Sequence, residues 1–231
     1  MMKNKRINIV LFKLKFLLPR IISSFKKKKI KNNSDYKNFE VSVKDKNFST
    51  YWFLNNYKII GSFLPIDRNE TFNYLEIGSF EGLSSLFILS YWKNANVTCV
   101  DTWETSKDES QFLDFNFQTV EKKFDTNLKD FSFRKIKNTS EIAFKELKQR
   151  DSFDYIYIDG SHNGIDIYND ALASFNILKV GGIIIFDDIT NIYQEIEMQP
   201  HDAFEKFYSL YKRKIKILYL KNIAVIEKTN Y

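Results

Sequence analysis

From Phe72 onward, short apolar runs of strand composition alternate with longer runs of helical periodicity, and this alternation constrains the fold more than any other feature. Strand-like runs fall at 72–77, 96–101, 131–136, 153–158, 182–186, 214–220 and 222–227. Helix-like runs fall at 81–92, 108–124, 140–148, 164–178 and 201–212. Alternation of this kind predicts an α/β architecture, a doubly wound, mostly parallel sheet with helices on both faces. The last two runs are joined by the short Lys221–Asn222 link and predict a terminal antiparallel hairpin, completing seven strands.

The basic balance of the chain belongs to one end of it. Residues 1–31 hold eleven Lys or Arg and no acid, which leaves 24 basic against 29 acidic residues in the remainder, a balance of −5. An acidic body argues against a nucleic-acid-binding face on the domain. Between Ile7 and Phe25 the segment is rich in Ile, Leu and Phe, but Lys13, Lys15 and Arg20 interrupt it below the run of about 20 apolar residues that a membrane span needs. It is followed by no small-residue cleavage site of the secretory kind. Arg6, Lys13, Arg20 and Lys27 recur at intervals of seven along one helical ridge, which Pro19 is expected to kink, and a four-lysine run follows at Lys26–Lys29. Two readings stand side by side: an extension packed on protein, or an interfacial segment on an anionic membrane surface. The polar stretch 32–48 reads as a linker, giving a basic extension over 1–48 and a catalytic-type domain over 49–231. A helix is expected from Ser49 or Thr50 to just before Pro65, with Tyr51, Trp52 and Tyr57 available for packing. A single cysteine, Cys99, allows no internal disulfide and points to a reducing, cytoplasmic compartment, at the inner membrane face if the basic segment docks there.

With only seven glycines in the chain, Gly78 and Gly82 stand out. They flank a loop between the first strand-like run and the helix after it. Ligands of doubly wound sheets bind beyond the carboxyl ends of strands near the switch point, so this loop is either a cofactor loop or a structural turn. A dinucleotide fingerprint would need glycines at the positions of Gly78, Phe80 and Leu83, and Phe80 obstructs the approach of a pyrophosphate. S-adenosylmethionine carries no phosphate and tolerates a side chain there. In that reading Glu76 takes the ammonium of the methionine part, directly or through water. Asp101, ending the second strand-like run beside Thr102 and Trp103, accepts from the ribose hydroxyls. Ser140 either caps the helix it opens or lines the adenine pocket.

Four segments carry a resemblance: EIGSFEG (76–82), VDTW (100–103), FDYIYIDGSH (153–162) and LKVGGIIIFDD (178–188). Together they resemble the class I S-adenosylmethionine-dependent methyltransferases with a Rossmann-like fold, among the relatives of macrocin O-methyltransferase and cephalosporin hydroxylase-type proteins. The resemblance implies a cofactor set of Glu76, Gly78, Ser79, Phe80, Gly82, Asp101, Thr102, Trp103, Ser140 and Asp159. It also implies transfer of a methyl group to the hydroxyl of a small acceptor, a sugar, a glycosylated metabolite or a lipid-linked glycan. Departures at Asn163–Gly164 and Ile189–Thr190 lie where substrate would enter and bear on its identity.

Asp159 ends the fourth strand-like run, and Asp187 and Asp188 end the fifth. Adjacent strands lie about 4.8 Å apart, so these acids should converge at one rim, where Mg²⁺ or Ca²⁺ would relieve their repulsion. In metal-dependent relatives, acids at these positions hold Mg²⁺. The alternative has Asp159 touching the cofactor while Asp187 and Asp188 cap the next segment. His162, three residues beyond Asp159, is of a type that titrates near neutrality and suits a general base. Its alternatives are a packing or substrate-contact role. With Asp159 it forms the candidate catalytic pair. His201, at the start of a helix-like run, reads as structural. Tyr168 and Asp170 follow on the helix after His162, where Asp170 caps or pairs locally. A non-catalytic membrane-peripheral protein on a vestigial cofactor fold is the rival reading, against which the intact acids at three strand ends argue. A homo-oligomer stays open.

Overall fold

The computed structural model describes residues 2–31, 37–104, 117–147, 149 and 151–230. Its strands are β1 (Asn73–Ile77), β2 (Asn96–Asp101), β3 (Arg134–Lys137), β4 (Phe153–Ile158), β5 (Leu178–Phe186), β6 (Ile215–Leu220) and β7 (Ala224–Lys228). Its helices are α1 (Met2–Lys15), α2 (Leu17–Lys31), α3 (Lys37–Ser42), α4 (Tyr57–Gly61), α5 (Leu83–Tyr91), α6 (Phe117–Leu128), α7 (Ser140–Glu146), α8 (Gly164–Ile177) and α9 (Pro200–Tyr211). The strands form one seven-stranded sheet in the order β3-β2-β1-β4-β5-β7-β6. β1 to β5 run parallel, and β7 pairs antiparallel with both β5 and β6. This is the expected doubly wound sheet with its closing hairpin. The expected helix over 108–124 falls partly on residues 105–116, which lie outside the described residues; the part that is described begins at Phe117.

Strands buried on both faces read as continuous apolar runs, and β1 does so with Tyr74, Leu75 and Ile77 all buried. Alternate residues feed two cores. Tyr74, Tyr157 and Ile185 face a core built with Phe39, Phe87, Trp92 and Phe124. Leu75, Ile156 and Ile184 face one built with Phe12, Phe175, Phe204 and Phe207. The switch point falls between β1 and β4, where the chain leaves β1 in opposite directions across the sheet.

Two expectations change here. The stretch read as a linker contains α3, and its Phe39, Val43 and Phe48 are buried in the first core. Sparse apolar residues in a polar stretch hide a packed segment when they land inward, as Phe39, Val43 and Phe48 do while Val41 stays exposed. The single helix expected after Ser49 is instead a 3-10 turn over Trp52–Asn55 followed by α4, because Asn56 leaves helical geometry at φ −121°.

The basic segment packs on the domain. Lys5, Ile9, Phe12, Phe16 and Ser23 are buried, and Phe12 and Phe16 meet Phe204 of α9 at ring separations of 6.2 and 5.7 Å. The helix is interrupted at Phe16, one turn before Pro19, whose missing N–H cannot bond Lys15. Beyond the interruption, α2 covers edge strand β6: the Leu220 amide donates to Ser23 Oγ at 2.7 Å, and Arg20 donates to the Lys221 carbonyl at 3.2 Å. Covering an edge strand removes a template for wrong pairing.

Candidate active site

The loop after β1 is shaped by what its backbone must pass. Gly78 has φ +88°, and a Cβ on it would lie 2.2 Å from the Asp159 carbonyl oxygen, so the ends of β1 and β4 close on each other only through glycine. The Gly78 amide donates to Val100 O at 2.8 Å, and the Asp159 amide to Ile77 O at 2.9 Å, carrying sheet pairing past the strand ends. Gly82, at φ +83°, opens α5 and lets Phe124 and Leu128 of α6 approach to 3.0–3.1 Å of where a Cβ would stand. Glu81 next to it is buried, pairs with Lys123 at 2.9 Å and accepts from Ser49 Oγ at 2.8 Å.

Asp101 is half-buried at the end of β2. One carboxylate oxygen accepts from the Phe80 amide at 2.8 Å, the other from the Trp103 amide at 2.7 Å. Phe80 and Trp103 both lie in the left-handed region, at φ 45° and 48°, a conformation that costs a non-glycine residue about 1–2 kcal/mol and persists where surroundings enforce it. Burial raises the Asp101 pKa, opposed by these backbone bonds. The Ser79 and Thr102 amides lower it as well, so this acid fastens the loop at four backbone positions. Thr102 beside it is partly exposed.

Three expected cofactor contacts are placed elsewhere. Glu76 is fully buried and accepts from Ser84 Oγ and, at 2.5 Å, from Ser85 Oγ, which ties β1 to the first turn of α5 instead of presenting the acid to an ammonium group. Burial pushes its pKa up to about 7, against the lowering effect of the two hydroxyls. Trp103 is buried, its ring 4.7 Å from Phe124 and under the Lys135 ammonium at 4.5 Å, with its indole N–H donated to Phe80 O at 2.8 Å. It props the loop from below. Ser140 does not cap α7, a role taken by Thr139; its hydroxyl bonds Asp170, a buried acid whose pKa rises to about 7 through burial.

The acids at the ends of β4 and β5 converge as strand spacing requires. Ile158 pairs with Phe186, so the next residues, Asp159 and Asp187, lie side by side. Between them sits the Tyr157 hydroxyl, bonded to Asp187 Oδ2 and 3.0 Å from Asp159 Oδ2. Burial, then repulsion from Asp187 and Asp188, holds the Asp159 carboxyl well above the usual range, while burial and Asp188 push Asp187 up to about 6. The second oxygen of Asp187 accepts from Asn56 Nδ2 at 3.2 Å and from the Asp188 amide at 2.8 Å.

Asp188 turns away, and the expected metal triad does not form. At φ 50° its side chain swings to Asn222, which donates to it at 2.7 Å. Among the described residues no three His, Cys, Asp or Glu side chains converge as metal ligands. The Tyr157 hydroxyl bridges Asp159 and Asp187, and Asp188 is committed elsewhere, so these residues do not fit a Mg²⁺ ion as placed. Asp188 instead faces His162, Oδ2 to Nε2 at 3.7 Å, and the imidazole stacks on Tyr193 at 4.7 Å with planes 28° apart. His201 is fully buried against Phe12 at 5.7 Å, in keeping with a packing role.

The resulting site is acidic. Asp101, Asp159, Asp187 and Asp188 surround one rim, and among the described residues no lysine or arginine pairs with any of them. Such a rim suits a cofactor that brings positive charge and hydroxyl donors, which S-adenosylmethionine does through its sulfonium and ribose. Residues 75–189 match the family model described as "Methyltransferase domain". Over this span the chain is similar to methyltransferase domains. Among solved structures it is similar to the MycE methyltransferase of the mycinamycin biosynthetic pathway in complex with Mg, SAH and mycinamycin VI, at 17% identity and TM-score 0.55, covering 86% of this chain and 56% of that one. The O-methyltransferase TomG of Streptomyces achromogenes, in complex with SAM, is similar at 10% identity and TM-score 0.54, covering 91% and 97%. An SAH-bound methyltransferase of Podospora anserina gives 15% identity and TM-score 0.50, covering 86% and 97%. No curated protein matches the sequence. At these identities the likeness establishes the Rossmann-like methyltransferase fold, and the chain spans little more than half the length of MycE.

Sequence reasoning missed Tyr157, Tyr193, Asn56 and Asn222. Tyr157 was within reach: two residues before Asp159 on one strand, it points to the same sheet face. The others come from distant loops, and nothing local in the sequence marks them.

Proposed function

We propose that the chain transfers a methyl group from S-adenosylmethionine to a hydroxyl of a small acceptor, a sugar or glycosylated metabolite. The observation that carries this reading is the uncompensated acid rim at the ends of β2, β4 and β5 beside a half-buried histidine with an acid partner. Asp101 and Thr102 would hold the ribose, with Gly78, Ser79, Phe80 and Gly82 shaping the loop and Asp159 facing the cofactor. The cofactor supplies a methyl group on a sulfonium, an electrophile whose leaving group needs no acid. The protein's task is therefore to position the acceptor and remove its proton. His162 is the base of this scheme: Tyr193 fixes the plane of its ring, and Asp188 lies where it would stabilise the imidazolium once the proton is taken. Asn222 and the left-handed turn at Asp188 hold that acid in place.

MycE, solved with mycinamycin VI, and the O-methyltransferase TomG support a small-molecule acceptor. Incubation with methyl-labelled S-adenosylmethionine and a panel of glycosides should give a base-stable methyl ether. His162→Ala should lower turnover by about 10²–10⁴ with cofactor affinity nearly unchanged. Label released by mild base would mean a carboxylate acceptor, and a loss below about tenfold would return His162 to packing.

A further inference from the structure

The N-terminal helices carry opposite faces of unlike fate. Lys5, Ile9, Phe12, Phe16 and Ser23 are buried against the domain. On the far side Ile7, Leu11, Leu14, Leu18, Ile21 and Phe25 are exposed, Leu18 to 68% and Phe25 to 73%. Their steps of four and three residues place Ile7, Leu11 and Leu14 on one stripe of α1 and Leu18, Ile21 and Phe25 on one stripe of α2. A helix that already buries one face in its domain ordinarily turns polar residues outward; this one turns out a second apolar stripe. An exposed apolar surface of this extent marks an interaction site.

We propose that this stripe docks on an anionic lipid surface. The argument is charge. Residues 1–31 contain eleven basic residues and no acid, and the run Lys26–Lys29 follows Phe25 directly. Lys5 is buried and Lys15 pairs with Glu205, so a second copy laid on the stripe would bring the other nine positive charges against nine, whereas anionic headgroups neutralise them. Each basic residue near such a surface strengthens attachment roughly fivefold, and leucines entering the headgroup boundary add more. Among the described residues no helix is long and apolar enough to cross a membrane, so the segment lies along the interface. The same helix is fastened to the candidate site. The Lys5 ammonium donates to the carbonyls of Tyr193, Gln194 and Ile196 at 3.2, 2.6 and 2.5 Å, and Tyr193 stacks on His162. Docking would therefore hold the site at the lipid boundary.

The test uses the full chain and two vesicle types, phosphatidylcholine alone and phosphatidylcholine with phosphatidylglycerol. The protein should cosediment with the anionic vesicles only, most strongly at low salt. Leu14→Glu with Leu18→Glu should weaken this by about a hundredfold or more, with circular dichroism and S-adenosylhomocysteine binding unchanged. Replacing Lys26, Lys27, Lys28 and Lys29 by Gln should abolish the anionic preference, and it tests the proposal without touching the apolar stripe. Equal binding to neutral vesicles, no binding, or binding indifferent to both variants would overturn it. So would a dimer in vesicle-free solution that the double leucine variant dissociates, because a second copy would then cover the stripe.

Discussion

Glu76 shows how far a single acid can be from the role its position suggests. Its place at the end of β1 fits a cofactor contact, yet burial and the hydroxyls of Ser84 and Ser85 make it an internal brace. A carboxyl held at about 7 when folded and near 4.5 when unfolded binds its proton more tightly in the folded state. Its contribution to stability is thus fully present below about 4.5 and lost as pH rises through about 7, amounting to about 3 kcal/mol. Urea denaturation should show stability of the wild type falling more steeply than that of Glu76→Gln between about pH 5 and pH 8, and parallel slopes would contradict the assignment. What the sequence could tell about single residues followed from geometry common to all sheets. The convergence of Asp159 and Asp187 was legible because parallel strands hold a fixed spacing. That Asp188 leaves the pair was not, because a left-handed residue and a hydrogen bond from Asn222, 34 residues away, decide it.

At the scale of elements, the strands were read within a few residues of their observed bounds, since a buried parallel sheet writes itself as apolar runs. The N-terminal helix was harder. Its basic residues Arg6, Lys13 and Arg20 recur by sevens and draw the eye, while the packing face is Lys5, Ile9, Phe12 and Phe16, with a lysine in it. That lysine is buried because three loop carbonyls accept from its ammonium, a partnership that no local pattern announces. Because α1 contributes to the second core, Phe12→Ala should cost about 3–5 kcal/mol in urea denaturation, the range for a truncated core aromatic. A cost below about 1 kcal/mol would mean that α1 rides on the domain without supporting it.

On the scale of the whole molecule, the charge split and the fold point one way. A basic, doubly faced helix pair covers one sheet edge, and an acidic rim lies at the strand ends. The central claim is that this rim binds S-adenosylmethionine with Asp101 on the ribose. Titration calorimetry with S-adenosylhomocysteine tests it most directly. Wild type should bind, and Asp101→Ala should bind more weakly by about 1.5–3 kcal/mol, the worth of hydrogen bonds to a charged group. Absence of binding, or NAD binding equally well with no response to the substitution, would contradict it.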